Sequence, residues 1–257
     1  MINLPTIHTF WIGDTLGPVS RACLSSFITV GHRVILHCYQ SPADIPAGVE
    51  TGDAEQIVPR SLVRPHKQTG SYAAFSDFFR FKLLSLCDGI YADCDIFCLK
   101  ALETDDFLVG FEADNTINGA LLALPKDSPL LHDLIGMFDP DCIPVWLPVR
   151  KQRKLRWKKR FGWPVDYTEM PWGTYGPSAL TYFIRKAGLL EKVQPRDVFY
   201  PVDYRHIDSL FDPDLTISDI TTSRTLCIHL YNERLRRRMG QPVPSSSPLG
   251  RLLNSNV

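Results

Sequence analysis

The sequence predicts an α/β protein with a Rossmann-like, mixed and mostly parallel central sheet flanked by helices. Three observations carry that prediction: a strand–helix–strand unit at the start, strand-type and helix-type patterns that alternate along the chain, and an apolar run ending in two carboxylates. At 257 residues the chain is long enough to bury a sizeable core as one large domain. We expect that domain over residues 1–239, with a basic, aromatic insertion at about 140–170 and a Pro/Ser-rich tail over 240–257.

Residues 6–12 read as a first strand, 18–30 as a helix and 33–39 (RVILHCY) as a second strand, with Gly31 between helix and strand. Such a βαβ unit sets a crossover helix against a parallel sheet, and ligands then gather beyond the carboxyl ends of the strands. No G-x-G-x-x-G follows the first strand, which argues against a nicotinamide or flavin dinucleotide. Trp11 stands near the end of that strand, where its indole either packs in the core or stacks on a nucleobase. Residues 41–70 are rich in Pro, Gly, Ser and Asp and read as an irregular loop region.

The central stretch is FSDFFRFKLLSLCDGIYADCDIF, residues 75–97. Phe75, Phe79, Leu83 and Leu86 recur at helical spacing and define a core-facing stripe. Ser76, Asp77 and Arg80 lie off it, with Asp77 and Arg80 three residues apart and therefore neighbours on the helix surface. Gly89 is the stop signal. Residues 90–97 then read as one strand whose alternation sends Asp93 and Asp95 to the same side. Two carboxylates facing one way raise each other's pKa unless solvent or a cation intervenes, and an oxygen-seeking divalent metal bridging to a substrate phosphate would satisfy them. Paired aspartates also occur on solvated strands. A D-x-D-x-T phosphatase nucleophile is disfavoured, because Ile96-Phe97 stands where that motif needs a hydroxyl.

Two buried strands follow at 107–111 and 119–124, then a helix at 128–138 with Ser128 as cap and Pro129 at its first position. Residues 150–160, RKQRKLRWKKR, hold eight basic residues and no acidic one. The whole chain has 28 of each sign, so 20 basic residues face 28 acidic ones elsewhere. That balance argues against a general nucleic-acid binder. The basic run reads either as a solvated helix or loop or, with Leu155, Trp157, Phe161 and Trp163 interleaved, as a peripheral contact with an anionic membrane over residues 150–163. Residues 169–177 form a loop dense in Gly, Pro and aromatic residues, including Trp172, of a kind that binds ligands or sugars. A helix at 178–187 and a last buried strand at 225–231, carrying His229, complete the domain, and the tail beyond Gly240 reads as disordered or loosely docked.

The seven cysteines form no C-x-x-C pair and sit mostly in apolar runs, as reduced thiols do. No signal sequence opens the chain, and no apolar run reaches the roughly eighteen residues of a membrane span. The expected location is cytoplasmic, with the basic segment allowing a peripheral position at a membrane.

The stretches IHTFWIG, FSDFFRFKLLSLCDGIYADCDIF, NGALLAL, GTYGPSALT and CIHLYN resemble, in that order, the D-x-D sugar transferases of glycosyltransferase family 32, and more distantly the catalytic core of the clostridial glucosylating toxins. The resemblance covers most of residues 5–232 and leaves out the basic segment. It implies a GT-A fold, a nucleotide-sugar donor with UDP favoured over GDP, a Mn2+ or Mg2+ ion, retention of anomeric configuration, and a glycan or lipid-linked acceptor, as in surface polysaccharide synthesis. It further implies that Trp11 stacks on the base, that Asp77 and Arg80 grip sugar hydroxyls and phosphate, and that Asp95 and Asp93 hold metal and ribose. His229 would complete the metal and diphosphate site with help from Asn232. Asn118, Trp172, Gly176 and Pro177 are expected toward the acceptor. The alternatives are a toxin-like protein glycosyltransferase and a non-catalytic nucleotide-sugar-binding protein on the same scaffold.

Overall fold

The computed structural model describes residues 4–104, 106–236, 238 and 242–255. The expected βαβ unit is present as β1 (Ile7–Trp11), α1 (Gly17–Thr29) and β2 (Val34–Cys38), with β1 and β2 parallel from Ile7 opposite Val34 to Trp11 opposite Cys38. Pro18 opens α1, and both carboxylate oxygens of Asp44 accept the amides of Leu16 and Gly17 at 2.6 and 2.9 Å, satisfying donors that a helix start leaves free. The loop region at 41–70 differs from expectation. It contributes β3 (Val49–Asp53), parallel to β2 at the sheet edge. Its sequence, VETGD, has one apolar side chain and mostly exposed positions, so no alternation marked it.

The stripe on α2 (Ala73–Leu84) is buried at Phe75, Phe79 and Leu83, and Phe79 stacks on Phe10 of β1 with ring centroids 3.8 Å apart. Leu86 departs from the expectation: the helix stops at Leu84 and the Leu86 side chain is half in solvent. Residues 90–97 are two strands. β4 (Ile90–Ala92) runs parallel to β1 in the main sheet, whereas β5 (Ile96–Cys98) leaves it. The intervening turn, closed by the Ile96 amide donating to the Asp93 carbonyl, is the D-x-D itself.

β6 (Leu108–Ala113) and β7 (Thr116–Ala123) form an antiparallel hairpin, tighter than the expected turn, with Asn115 at φ 64°. Asn tolerates that left-handed conformation better than most residues. β7 lies antiparallel to β4, giving the order β3-β2-β1-β4-β7-β6. This mixed, mostly parallel sheet is consistent with the GT-A fold. α3 (Pro129–Gly136) is capped as expected, the Ser128 hydroxyl accepting from the Leu131 amide at 3.2 Å.

α4 (Val149–Arg160) is the basic segment, a helix with no buried residue. A π-turn at Thr174–Ser178 leads into α5 (Ala179–Lys186), followed by α6 (Arg196–Phe199). β8 (Cys227–His229) pairs antiparallel with β5 in a separate two-stranded sheet and leads into α7 (Asn232–Arg236).

The tail contains α8 (Pro248–Asn254), capped by Ser247, and buries Leu249 and Leu252 among Val19, Cys23 and Leu235. A docked helix therefore replaces the loose tail expected there; residues 240, 241, 256 and 257 lie outside the described residues. Burying two leucines contributes on the order of 2–3 kcal/mol each, which outweighs the Pro/Ser bias of the flanking segment. Among the described residues all seven cysteines are free, and no helix is long and apolar enough to cross a membrane.

Candidate active site

The Asp93–Asp95 turn follows β4, so its side chains emerge at the carboxyl end of a central parallel strand. Cys94, between the two acids, turns the other way and is buried, its Sγ 3.0 Å from the Thr9 hydroxyl on β1. A turn, in place of the continuous alternating strand expected, delivers the two carboxylates.

Asp93 is held from three sides. Its amide donates to the Ala120 carbonyl of β7 at 2.7 Å, the Tyr91 hydroxyl donates to its Oδ1 at 2.8 Å, and Arg80 Nη2 lies 3.2 Å from the same oxygen. Arg80 also lies 3.4 Å from Asp77 Oδ1, with its guanidinium over the Tyr91 ring at 4.9 Å. The arginine is 6% exposed, which places it inside the molecule and corrects the surface position its helical spacing implied. Room for it comes from Gly119 of β7, where a Cβ would stand 3.2 Å from Nη1. Gly176, in the π-turn, presses on the other side: a Cβ there would fall 2.6 Å from Asp77 Oδ2.

One guanidinium thus serves two buried carboxylates. Burial pushes Asp77 up to about 6 against the pull of Arg80. Burial raises Asp93 as well, again opposed by Arg80. Burial works against the Arg80 charge, but Asp93, Tyr91 and Asp77 outweigh it and hold the guanidinium above its usual range.

Asp95 belongs to the other sheet's end. Its Oδ1 is 3.3 Å from His229 Nε2 and its Oδ2 accepts from the Asn232 amide at 2.8 Å. Its carbonyl accepts from the Leu230 amide at 2.9 Å. Amides on both sides of Tyr231 can reach one aspartate because Tyr231 adopts φ 50°, an uncommon conformation for a bulky residue. Burial disfavours the Asp95 charge, yet His229 and the Asn232 amide hold it below the ordinary carboxylate range. Burial likewise disfavours the imidazolium, and Asp95 outweighs it, lifting His229 above its ordinary value.

Trp11 is half-buried at the end of β1, with the Arg236 guanidinium of α7 5.9 Å above its ring. Its Nε1 and His229 Nδ1 are buried without hydrogen-bond partners among the described residues. Leaving such a group unpaired costs about 1–3 kcal/mol, and both lie on residues expected at the site. The rings of His229 and Tyr231 lie 3.9 Å apart.

Of the remaining expected residues, Asn232 contributes its amide, while its side chain turns toward the Ser20 hydroxyl at 3.4 Å. Asn118 is buried on β7, its Oδ1 taken by the Ala120 amide at 2.8 Å. Gly176 and Pro177 lie in the turn that abuts Asp77. Trp172 is 75% exposed and stands outside the buried cluster.

Sequence reasoning missed Tyr91, Tyr231 and Glu112. Tyr91 carried a signal, since it precedes Asp93 by two residues as Asp93 precedes Asp95. Glu112, half-buried on β6, directs negative charge at Tyr231 and His229, and only the fold brings it there.

The donor chemistry at the site is of the kinds that a hard divalent ion takes. Asp95, Asp93 and His229 offer carboxylate oxygens and one imidazole, but among the described residues no group of three or more His, Cys, Asp or Glu side chains is arranged to enclose an ion. Mg2+ and Mn2+ suit a site in which one or two carboxylates hold the ion and substrate phosphates and waters supply the rest.

Comparison with known proteins gives two sequence matches and one structural likeness. Residues 164–256 match the family model described as the alpha 1,4-glycosyltransferase conserved region. The chain is 22% identical over 172 residues to lactosylceramide 4-alpha-galactosyltransferase from Rattus norvegicus, a match that takes in 62% of this chain and 41% of that relative. Among solved structures it is similar to PaToxG glycosyltransferase, with a TM-score of 0.47 and 16% identity over 73% of this chain and 71% of that one. Both sequence matches are therefore to glycosyltransferases, the class that the chain's own motifs resemble.

Proposed function

We propose that the protein is a metal-dependent, retaining glycosyltransferase that moves a sugar from a nucleotide-sugar donor, UDP-linked in preference to GDP-linked, to a glycan or lipid-linked saccharide. The observation that carries this reading is the joint of two sheets at which Asp93 and Asp95 emerge together, one anchored to Arg80 and the other to His229. The sequence matches to glycosyltransferases support the class.

In this reading the base stacks on Trp11, whose ring is flanked by Arg236. Asp77 and Arg80 receive the sugar and its phosphate. The pair is preorganised: Arg80 is buried, fixed by two acids and braced on Tyr91, so it places a positive charge without reorganising as the leaving group gains charge. Asp95 and Asp93 would hold Mn2+ or Mg2+, with His229 beside Asp95. When bound, the ion supplies neutralisation of charge on the diphosphate. No carboxylate stands out as a covalent nucleophile, which favours attack by the acceptor hydroxyl on the face the diphosphate leaves, with the departing phosphate taking the proton.

The test is release of UDP or GDP from a panel of sugar nucleotides, with and without Mn2+. We expect release that EDTA and Asp95→Ala both abolish. Turnover indifferent to EDTA, or full activity of Asp95→Ala, would remove the metal reading; a glycosyl adduct seen by intact mass would remove same-face attack.

A further inference from the structure

The helix α4 presents an outward face that nothing in the candidate active site uses. Arg150, Arg153, Lys154, Trp157, Arg160 and Phe161 follow the spacing of one helix side, and all six are exposed. Trp157 and Phe161 are 59% and 61% exposed, with their rings 4.8 Å apart, so two large apolar groups form one knob among four cations. A soluble surface seldom spends paired aromatic rings on water.

The opposite side of the helix is fastened. Gln152 donates to the carbonyls of Val145 and Leu147 at 2.7 Å each, Leu155 packs against the main core, and Lys159 pairs with Asp141 at 2.9 Å. Lys158 lies 3.7 Å from Glu169. The knob is thus carried on a braced helix, and the cations around it are directed away from the acidic residues that neutralise Lys158 and Lys159.

We infer that this face docks the protein on an anionic lipid bilayer, with the Trp157–Phe161 pair entering the headgroup boundary and Arg150, Arg153, Lys154 and Arg160 lying among the lipid charges. Charge complementarity selects this occupant. The helix carries eight cations and no acid, while the rest of the chain has 20 basic against 28 acidic residues. An anionic surface therefore attracts this side and repels the remainder, which fixes orientation as well as affinity. Indole and phenyl rings belong at the boundary between headgroups and acyl chains. A single-stranded nucleic acid fits less well, because it is taken by a basic groove with separated stacking platforms, whereas this face is the convex side of one helix and its two rings lie against each other. The inference does not depend on the proposed glycosyl transfer.

The test is co-sedimentation of the full chain with vesicles of phosphatidylcholine alone or with 30% phosphatidylglycerol. We expect binding to the anionic vesicles only, weakening as salt rises. At about fivefold per cation near the surface, neutralising Arg150, Arg153, Lys154 and Arg160 to Gln should lower partitioning by several hundredfold. Trp157→Ala with Phe161→Ala should also weaken binding while leaving its salt dependence in place. Circular dichroism establishes that both variants fold, and a variant with Lys100→Gln and Lys192→Gln, outside the helix, should bind as the parent does. No binding to anionic vesicles, equal binding to phosphatidylcholine, or wild-type binding by either helix variant would overturn the inference. So would binding of RNA or heparin without binding of vesicles.

Discussion

Asp77→Asn should make the protein more stable and less able to bind its donor. Asp77 is buried and shares Arg80 with Asp93, and burial pushes its carboxyl from the ordinary aspartate value of 3.8 up to about 6. The folded value lies above the unfolded one, so between pH 4 and 6 the folded chain holds the extra proton. The stability it contributes is complete below about pH 4 and is lost as pH rises through 6. Two pH units correspond to about 3 kcal/mol, which is the order of the penalty for keeping this carboxylate ionised at pH 7. Asparagine has nearly the same shape and carries no charge to desolvate. Urea denaturation of parent and variant across pH 4–8 should show Asp77→Asn ahead by about 1–3 kcal/mol at pH 7, with the difference closing toward pH 4. Retention of the Arg80 attraction as the dominant effect would instead leave Asp77→Asn less stable at pH 7, or would leave the difference flat with pH, and either result would refute the reasoning.

Tyr91→Phe removes the hydroxyl that donates to Asp93 Oδ1 at 2.8 Å and should cost about 1–3 kcal/mol in stability together with a fall in nucleotide-sugar turnover; unchanged melting and unchanged turnover would show that Asp93 needs no such anchor. Gly110→Ala places a Cβ 2.7 Å from the buried Phe199 ring, and chemical denaturation should report a loss of about 1–3 kcal/mol from overpacking. Leu249→Ala empties a fully buried position where α8 meets α1, at an expected cost of about 2–5 kcal/mol. A melting temperature equal to the parent's would return the tail to the loosely docked state its composition suggests.

What the sequence made legible followed periodicity and punctuation. The βαβ unit, α2, the capped α3 and the hairpin strands all bury one face or one run, and a buried face writes itself into the spacing of apolar residues. β3 did not, because an edge strand of VETGD is held by backbone pairing to β2 and leaves nearly all its side chains in water. α8 was hidden for a different reason: two buried leucines in a seven-residue helix are too few to set a pattern, yet they are enough to dock it once α1 supplies a surface. At the candidate site, Asp77, Arg80, Asp93 and Asp95 could be found locally because they lie within one helix and the strand and turn after it. That Arg80 is buried could not be read from its place off the apolar stripe; it depends on Gly119 and Gly176, from two distant segments, leaving space for the guanidinium and its partner. Glu112 and Tyr231 meet only through long-range topology.

The break between β4 and β5 has a mechanical consequence. β4 of the six-stranded sheet ends at one aspartate and β5 of the two-stranded sheet begins at the other, so a metal-bound diphosphate held by both would act as a rivet through the seam between the two sheets. Amide exchange should then slow in β8 and α7 as well as beside α2 when donor binds, although residues 227–236 lie more than a hundred positions further along the chain.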